Sequence, residues 1–452
     1  MRSPTTITVV MDADTPRDAE PSLAYRWVIL AFGVLAYAAT LFARQNYAGI
    51  QKFIASDLHL DKASLGLLGS VFFYAYALFQ MPWGVASDKW GSRSITAVGV
   101  LLVAGTMVGF ATSRTEAQLL FWRGASGIAG AAVYVAMTGG VARWFPQSER
   151  GLSQTALGGV GGALGESTAF FLLPAISIYI ASGWREATFM VAGALALIGI
   201  LCAIFLRSAP PNRPATTRKP FDAALVADSQ LWAFTLLYAG FIMAVRIVQP
   251  WIAVYAADVF IAHGSGTSRA VLSGGLLAVV TYSLLGRGIG CPLAGRASDW
   301  ALDAGVSRTT VAISWLLFAF ALLGILSRGT TNVWSLGVTA FLLGMAINSF
   351  SLITASISDT YGPLRTASIV SFVNMVAQLA GATGLALSGY AGISLSAQAG
   401  NSLAEYRGIW LSAMAGVGIM TAVGSFLQWR CARRRRAPVR EWPVSALRRD
   451  GA

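Results

Sequence analysis

Residues 82–93 read Pro82-Trp83-Gly84-Val85-Ala86-Ser87-Asp88-Lys89-Trp90-Gly91-Ser92-Arg93. This charged stretch closes one long apolar run, 63–86, and opens directly onto another, 94–112. A connection so short makes the two runs antiparallel neighbours. A helix rises about 1.5 Å per residue, so roughly 20 apolar residues cross the ~30 Å hydrocarbon core of a bilayer. Working outward from the turn gives twelve such runs in all. They lie near 25–50, 63–86, 94–112, 117–142, 150–180, 185–207, 229–256, 271–295, 308–327, 331–356, 365–393 and 408–429. The runs are too long for strands and lack two-residue alternation. Composition agrees: 55% of residues are hydrophobic and 12% charged, against about 25% charged in soluble domains. This excludes a disordered chain, a coiled coil and an ordinary soluble enzyme, and predicts an all-α membrane protein of twelve transmembrane helices.

Basic residues orient the chain. Of 33 lysines and arginines, 22 fall on the side that carries both termini, seven on the other side and four inside spans. Such a bias puts both termini in the cytoplasm. It also accounts for the net charge of +13 without nucleic acid, and the run Arg433–Arg436 reads as a flank against anionic lipid. Three scattered cysteines and two isolated histidines offer no disulfide framework and no metal-ligand spacing. No metal or cofactor is expected, and no nucleophile–base pair marks an enzyme. The segment 208–228, polar and proline-rich, reads as a linker. The expected organisation is a cytoplasmic tail 1–24, a six-helix half 25–207, the linker 208–228, a second six-helix half 229–430 and a basic tail 431–452.

The halves repeat. Gly84-x3-Asp88-Lys89-x-Gly91-x-Arg93 at the end of the second span is echoed at the end of the eighth by Gly295-x3-Asp299, followed by Gly305 and Arg308. Arg44 precedes Asp57 by thirteen residues, and Arg246 precedes Asp258 by twelve. The first copy resembles the signature loop of the major facilitator superfamily, at the place where that family carries it. The resemblance extends over essentially the whole chain and implies a twelve-helix fold of two pseudo-symmetric halves, with Gly84, Asp88, Lys89, Gly91, Arg93 and Asp299 in a gate. Glycine there would permit close helix approach, and the aspartates would accept from basic partners. Phe42-Ala43-Arg44-Gln45-Asn46-Tyr47-Ala48 is similar to the first helix of organic-anion members, both the organophosphate:phosphate antiporters (Arg-Lys-Asn-Phe-Ala) and the anion:cation symporters (Asp-Arg-x-Asn). Tyr76 falls in a second-helix stretch that suits both. Arg246-x4-Trp251 looks like the antiporters, and Asp359…Pro363…Asn374…Gly381 like the symporters. Ala43 and Gly130 stand where the symporters carry acids.

Four arginines lie inside spans, Arg44, Arg123, Arg246 and Arg287, with one carboxylate, Glu166. Each charge at mid-bilayer costs about 2.5–3.5 kcal/mol or more, so four are expected to have a use. A cavity with that surplus suits an anion, and guanidinium matches carboxylate or phosphate oxygens two at a time. Arg287 precedes Arg296 by nine residues, about 13 Å of helix, close to the midplane. Arg44 either faces a central cavity with Arg246 or snorkels to the outer interface. Arg123 begins Arg123-x3-Gly127, similar to the family's second signature; its alternative is an interfacial position. Glu166 is a fixed counterion, a protonatable coupling group, or a residue in an external position. Tyr76, Trp251, Asn374 and Gln378 are expected to complete a substrate site, with interhelical hydrogen bonding as the alternative for each.

These readings predict a secondary transporter moving a small organic anion, a carboxylate or sugar acid, by alternating access through a bacterial inner membrane. Proton-coupled uptake leads, and exchange of organophosphates against phosphate follows. An exporter of amphipathic compounds and a non-transporting anion sensor are the rivals. A monomer suffices.

Overall fold

The computed structural model describes residues 25–145, 153, 156–208, 223–329, 332–361, 363–396 and 405–436. The expected N-terminal tail, most of the linker and residues 437–452 lie outside the described residues, as does the side chain of Asp88, while residues 431–436 of the expected basic tail continue the last helix. The described chain is helical. The first half comprises α1 (Tyr25–Leu58), α2 (Lys62–Trp90), α3 (Ser92–Thr112), α4 (Glu116–Trp144), α5 (a π-helical turn Ala156–Val160 continuing as Gly161–Tyr179) and α6 (Trp184–Phe205). The second comprises α7 (Ser229–Ala262), α8 (Thr267–Asp303, π-helical over Ala278–Arg287), α9 (Arg308–Ser327), α10 (Val333–Tyr361, broken after Ile347), α11 (Pro363–Ser396) and α12 (Glu405–Arg436).

Eleven of these helices are long and apolar enough to cross a membrane; the apolar part of α5 is shorter, Leu164–Tyr179. The start of the fifth span expected at 150–180 lies partly outside the described residues, and glycines and Glu166 dilute the rest. Helix starts follow residue chemistry. Asp61 accepts from the Ser64 amide, Thr115 from Gln118, Asp228 from Gln230, Ser307 from Thr310 and Asn332 from Trp334 and Ser335. Each short polar side chain thereby satisfies an amide that the helix leaves open.

Within the halves α1 packs on α5, α2 on α4, α3 on α4 and α6, and α7 on α12, α8 and α11. Between them α2 meets α11, α5 meets α8 and α1 meets α7. The end of the bundle away from the termini is bound shut across the halves. Lys52 of α1 pairs with Asp258 of α7, and Lys62 of α2 pairs with Glu405 of α12. Tyr406 also donates to Asp258, at 2.5 Å, and Lys62 lies over the Tyr406 ring at 4.0 Å. Nearer the middle, Tyr74 of α2 and Thr383 of α11 share a hydrogen bond of 2.7 Å.

At the other end the described side chains of the signature loops bond within their own halves. Gly91 turns the chain between α2 and α3 at φ +82°, and an added Cβ would meet the Ser208 hydroxyl at 2.4 Å. Only glycine suits that position on both counts. The Arg93 amide donates to the same hydroxyl at 3.2 Å, and its Nε to the Ala203 carbonyl at 2.9 Å. In the second copy, Arg308 donates to Asp299 at 2.8 Å and pairs with Asp359 at 3.3 Å. Lys89 is exposed beside the Trp90 ring. The close approach expected at the first glycine of each copy is absent: a Cβ on Gly84 would make ordinary contact with Val135, and one on Gly295 would meet open space.

Candidate functional site

The site begins with the approach of α5 to α1. A Cβ on Gly165 would lie 2.2 Å from the Ala38 carbonyl oxygen, so only glycine lets the two backbones touch there. The next residue, Glu166, is thereby brought against α1, where Arg44 pairs with its Oε1. Its second oxygen accepts from Arg287 Nη1 at 2.7 Å. Arg287 ends the π-helical stretch of α8, and π-turns recur at functional sites. The Gln249 side chain of α7 lies beside the same carboxylate. One carboxylate therefore joins an arginine from each half. Gly165→Ala is expected to force these helices apart, costing about 1–3 kcal/mol; a lowered melting temperature checks it.

Arg246 completes the centre from α7. It is 5% exposed, and Arg44 7%. Its Nε donates to Gln378 at 3.0 Å, and the Gln378 amide in turn donates to Asn374 at 3.3 Å. Its terminal nitrogens have no hydrogen-bond partner among the described residues. Its guanidinium lies over the Phe73 ring at 4.1 Å, with that of Arg44 5.9 Å from the same ring. Both arginines line one cavity of about 10 Å³ between the halves, with Gln45, Tyr47, Phe73, Gln249 and Leu385. That volume holds about one water. Tyr76 is buried close to Arg246 and stacks on Phe72.

Two expected ligands are differently employed. Arg123 reaches the cavity wall, but its Nε, Nη1 and Nη2 donate to the carbonyls of Leu68, Ala43 and Arg44 at 3.2–3.3 Å. It also lies over the Tyr47 and Phe72 rings, so it clamps α4 onto α1 and α2. Trp251 donates to Ser388 at 3.0 Å and packs on Tyr406; it is not part of the cavity wall. Arg44, Arg246, Arg287, Glu166, Gln378, Asn374 and Tyr76 are brought together, whereas Trp251 is not. Phe73, between the two arginines, was missed, because an aromatic on an apolar helix gives no signal of its own.

The paired aspartates of the repeat also acquire partners. Asp57 of α1 takes Arg185 and the Trp184 indole of α6. Asp258, its counterpart on α7, takes Tyr406 of α12 and, across the halves, Lys52. Among the described residues, Asp258 and not Asp57 pairs across the halves. Asp258→Asn is expected to loosen that end of the bundle, read as faster labelling of a cysteine placed at Gln51 from the side away from the termini.

The model described as Major Facilitator Superfamily matches residues 33–300. The chain belongs to the major facilitator superfamily. Within it, the chain is 24% identical over 399 residues to YybO, an uncharacterized transporter of Bacillus subtilis (strain 168), covering 81% of this chain and 87% of that one. It is 31% identical over 198 residues to SauU of Cupriavidus necator, a probable sulfoacetate transporter, covering 42% and 44%. It is 24% identical over 371 residues to GarP of Escherichia coli (strain K12), a probable galactarate/D-glucarate transporter, covering 73% and 81%. Among solved structures, a bacterial homolog of the human lysosomal transporter Spinster, inward-facing and occupied, superposes with a TM-score of 0.72 at 18% identity, over 90% of this chain and 96% of that one. That likeness establishes the major facilitator fold.

Proposed function

We propose that the chain is a secondary transporter of a small organic anion of the sugar-acid kind, working by alternating access in a bacterial inner membrane with both termini in the cytoplasm. The carrying observation is the pair Arg44 and Arg246, one from each half, lining one buried cavity, with the terminal nitrogens of Arg246 unpartnered among the described residues. An anionic oxygen pair suits those nitrogens. It would also offset the repulsion between the two guanidinium groups and draw the halves together. SauU and GarP, named for a sulfonated acid and a sugar diacid, support the ligand class, and the bias of basic residues supports the orientation.

In this reading the structure is a state closed at the outer end. The outer seal rests on Lys52–Asp258 and Lys62–Glu405, whose side chains are 15–35% exposed. Partly exposed pairs contribute about 0–1 kcal/mol each, weak enough to break in each cycle. Glu166 holds the place of an anion between Arg44 and Arg287 while the carrier is empty, and is the candidate for coupling.

The test is uptake of labelled galactarate, gluconate and a hexose phosphate by proteoliposomes containing the purified protein. A proton gradient drives one set, and internal phosphate the other. Saturable uptake of an acid supports the reading, and the driving gradient separates symport from exchange. Transport of amphipathic cations alone, with no anion taken up, would sink it.

A further inference from the structure

We infer that the cavity selects a hydroxyl group beside the anionic end of its ligand, through Gln45 and Gln249. This rests on the reading of the cavity as an anion site. The two glutamines come from α1 and α7, one from each half, and both line the cavity with Arg44 and Arg246. They are 4% and 2% exposed. Gln249 lies three residues after Arg246, hence on the same helix face; Gln45 follows Arg44 directly.

Their polar atoms are not all satisfied. Gln45 Nε2, Gln249 Oε1 and Arg44 Nε are buried without a hydrogen-bond partner. The orientation of Gln249 follows from chemistry. Its neighbour Glu166 is a carboxylate, which only accepts, so the amide nitrogen faces it and the carbonyl oxygen faces away. The set thus offers two donors and one acceptor. A bare carboxylate can answer the donors and can give nothing to Gln249 Oε1, because it is acceptor-only. A hydroxyl both donates and accepts. Set on the carbon next to a carboxylate, it can donate to Gln249 and accept from Gln45 while the carboxylate meets the arginines. The arrangement favours a 2-hydroxy acid over the same acid without the hydroxyl, since losing the hydroxyl would leave buried amide groups unpaired.

The experiment measures binding of matched pairs to the full chain in nanodiscs by titration calorimetry: galactarate against adipate, and lactate against propionate. The hydroxylated member of each pair is expected to bind about tenfold tighter or more, one lost hydrogen bond being worth roughly that factor. In Gln249→Met and Gln45→Met the ratio is expected to fall towards one. Should one variant fail to fold, the other and the wild-type ratio carry the decision. Equal binding within each pair by the wild type overturns the inference, and would mean that a trapped water serves the amides. A ratio unchanged in the variants, with both affinities falling together, overturns it as well, since the glutamines would then act only by positioning Arg44 and Glu166. If no acid of either kind binds, the anion reading itself falls, an outcome distinct from equal binding.

Discussion

Arg246→Ala is expected to abolish anion transport while leaving the empty protein as stable as before. Truncating one partner of a buried, hydrogen-bonded charge contact costs about 2–5 kcal/mol, roughly thirty-fold to several-thousandfold in kcat/KM. The fold itself loses little. Arg246 makes one hydrogen bond, to Gln378 at 3.0 Å, worth about 1 kcal/mol, and the loss of its contacts with Phe73 and Glu166 is offset by ending the burial of its charge and its repulsion from Arg44. The signature is an unliganded melting temperature at or above that of the wild type, with the anion-induced rise gone. Arg246→Lys restores charge but not the flat fork that grips two oxygens, so partial recovery is expected. Arg123→Ala should behave the opposite way. Its three bonds to carbonyls of α1 and α2 are lost, so the melting temperature falls even without ligand. Normal transport by Arg246→Ala would place the anion elsewhere.

This contrast marks how far the sequence could be read. The helices and the signature turn were legible because a twenty-residue apolar run has few alternatives in a bilayer. The arginines stood out because their cost in lipid is large. What each arginine does was not legible. Glu166 meets Arg44 across 122 residues and Arg287 across 121, and Lys52 meets Asp258 across 206. No local spacing encodes such pairs. Arg123 and Arg246 look alike as isolated charges, yet one has all its nitrogens on carbonyls and the other leaves two facing a cavity. Trp251 matched a family pattern, but its indole is spent on Ser388. The need for glycine in the signature loop fell on Gly91, where φ is positive, and not on Gly84. The π-helical stretch before Arg287 leaves no trace in an apolar periodicity. The unpaired amide groups of Gln45 and Gln249 could be seen only once the cavity wall was assembled.

Glu166→Gln is expected to separate net transport from exchange. In the structure one carboxylate serves Arg44 from the first half and Arg287 from the second. Replacing it with an amide leaves two guanidinium groups without a countercharge, in a site where losing one member of a buried pair costs about 3–5 kcal/mol. The loaded carrier is spared most of that cost, since a bound anion brings its own negative charge. In the proposed uptake cycle the empty carrier is not, and it must reorient to complete net uptake. If the cost falls on that step, net uptake slows by about a hundredfold or more, at 1.36 kcal/mol per tenfold. Exchange of labelled for unlabelled anion, which never requires the empty carrier to turn, is expected to remain within several-fold of the wild type. Glu166→Asp keeps the charge on a shorter arm that reaches one arginine better than two, and should fall between. Both rates come from the same proteoliposomes, with and without internal anion, so a variant that merely misfolds loses both and is recognised. If net uptake and exchange fall together in well-folded Glu166→Gln, Glu166 belongs to the ligand site; if neither falls, the carboxylate only braces the two arginines.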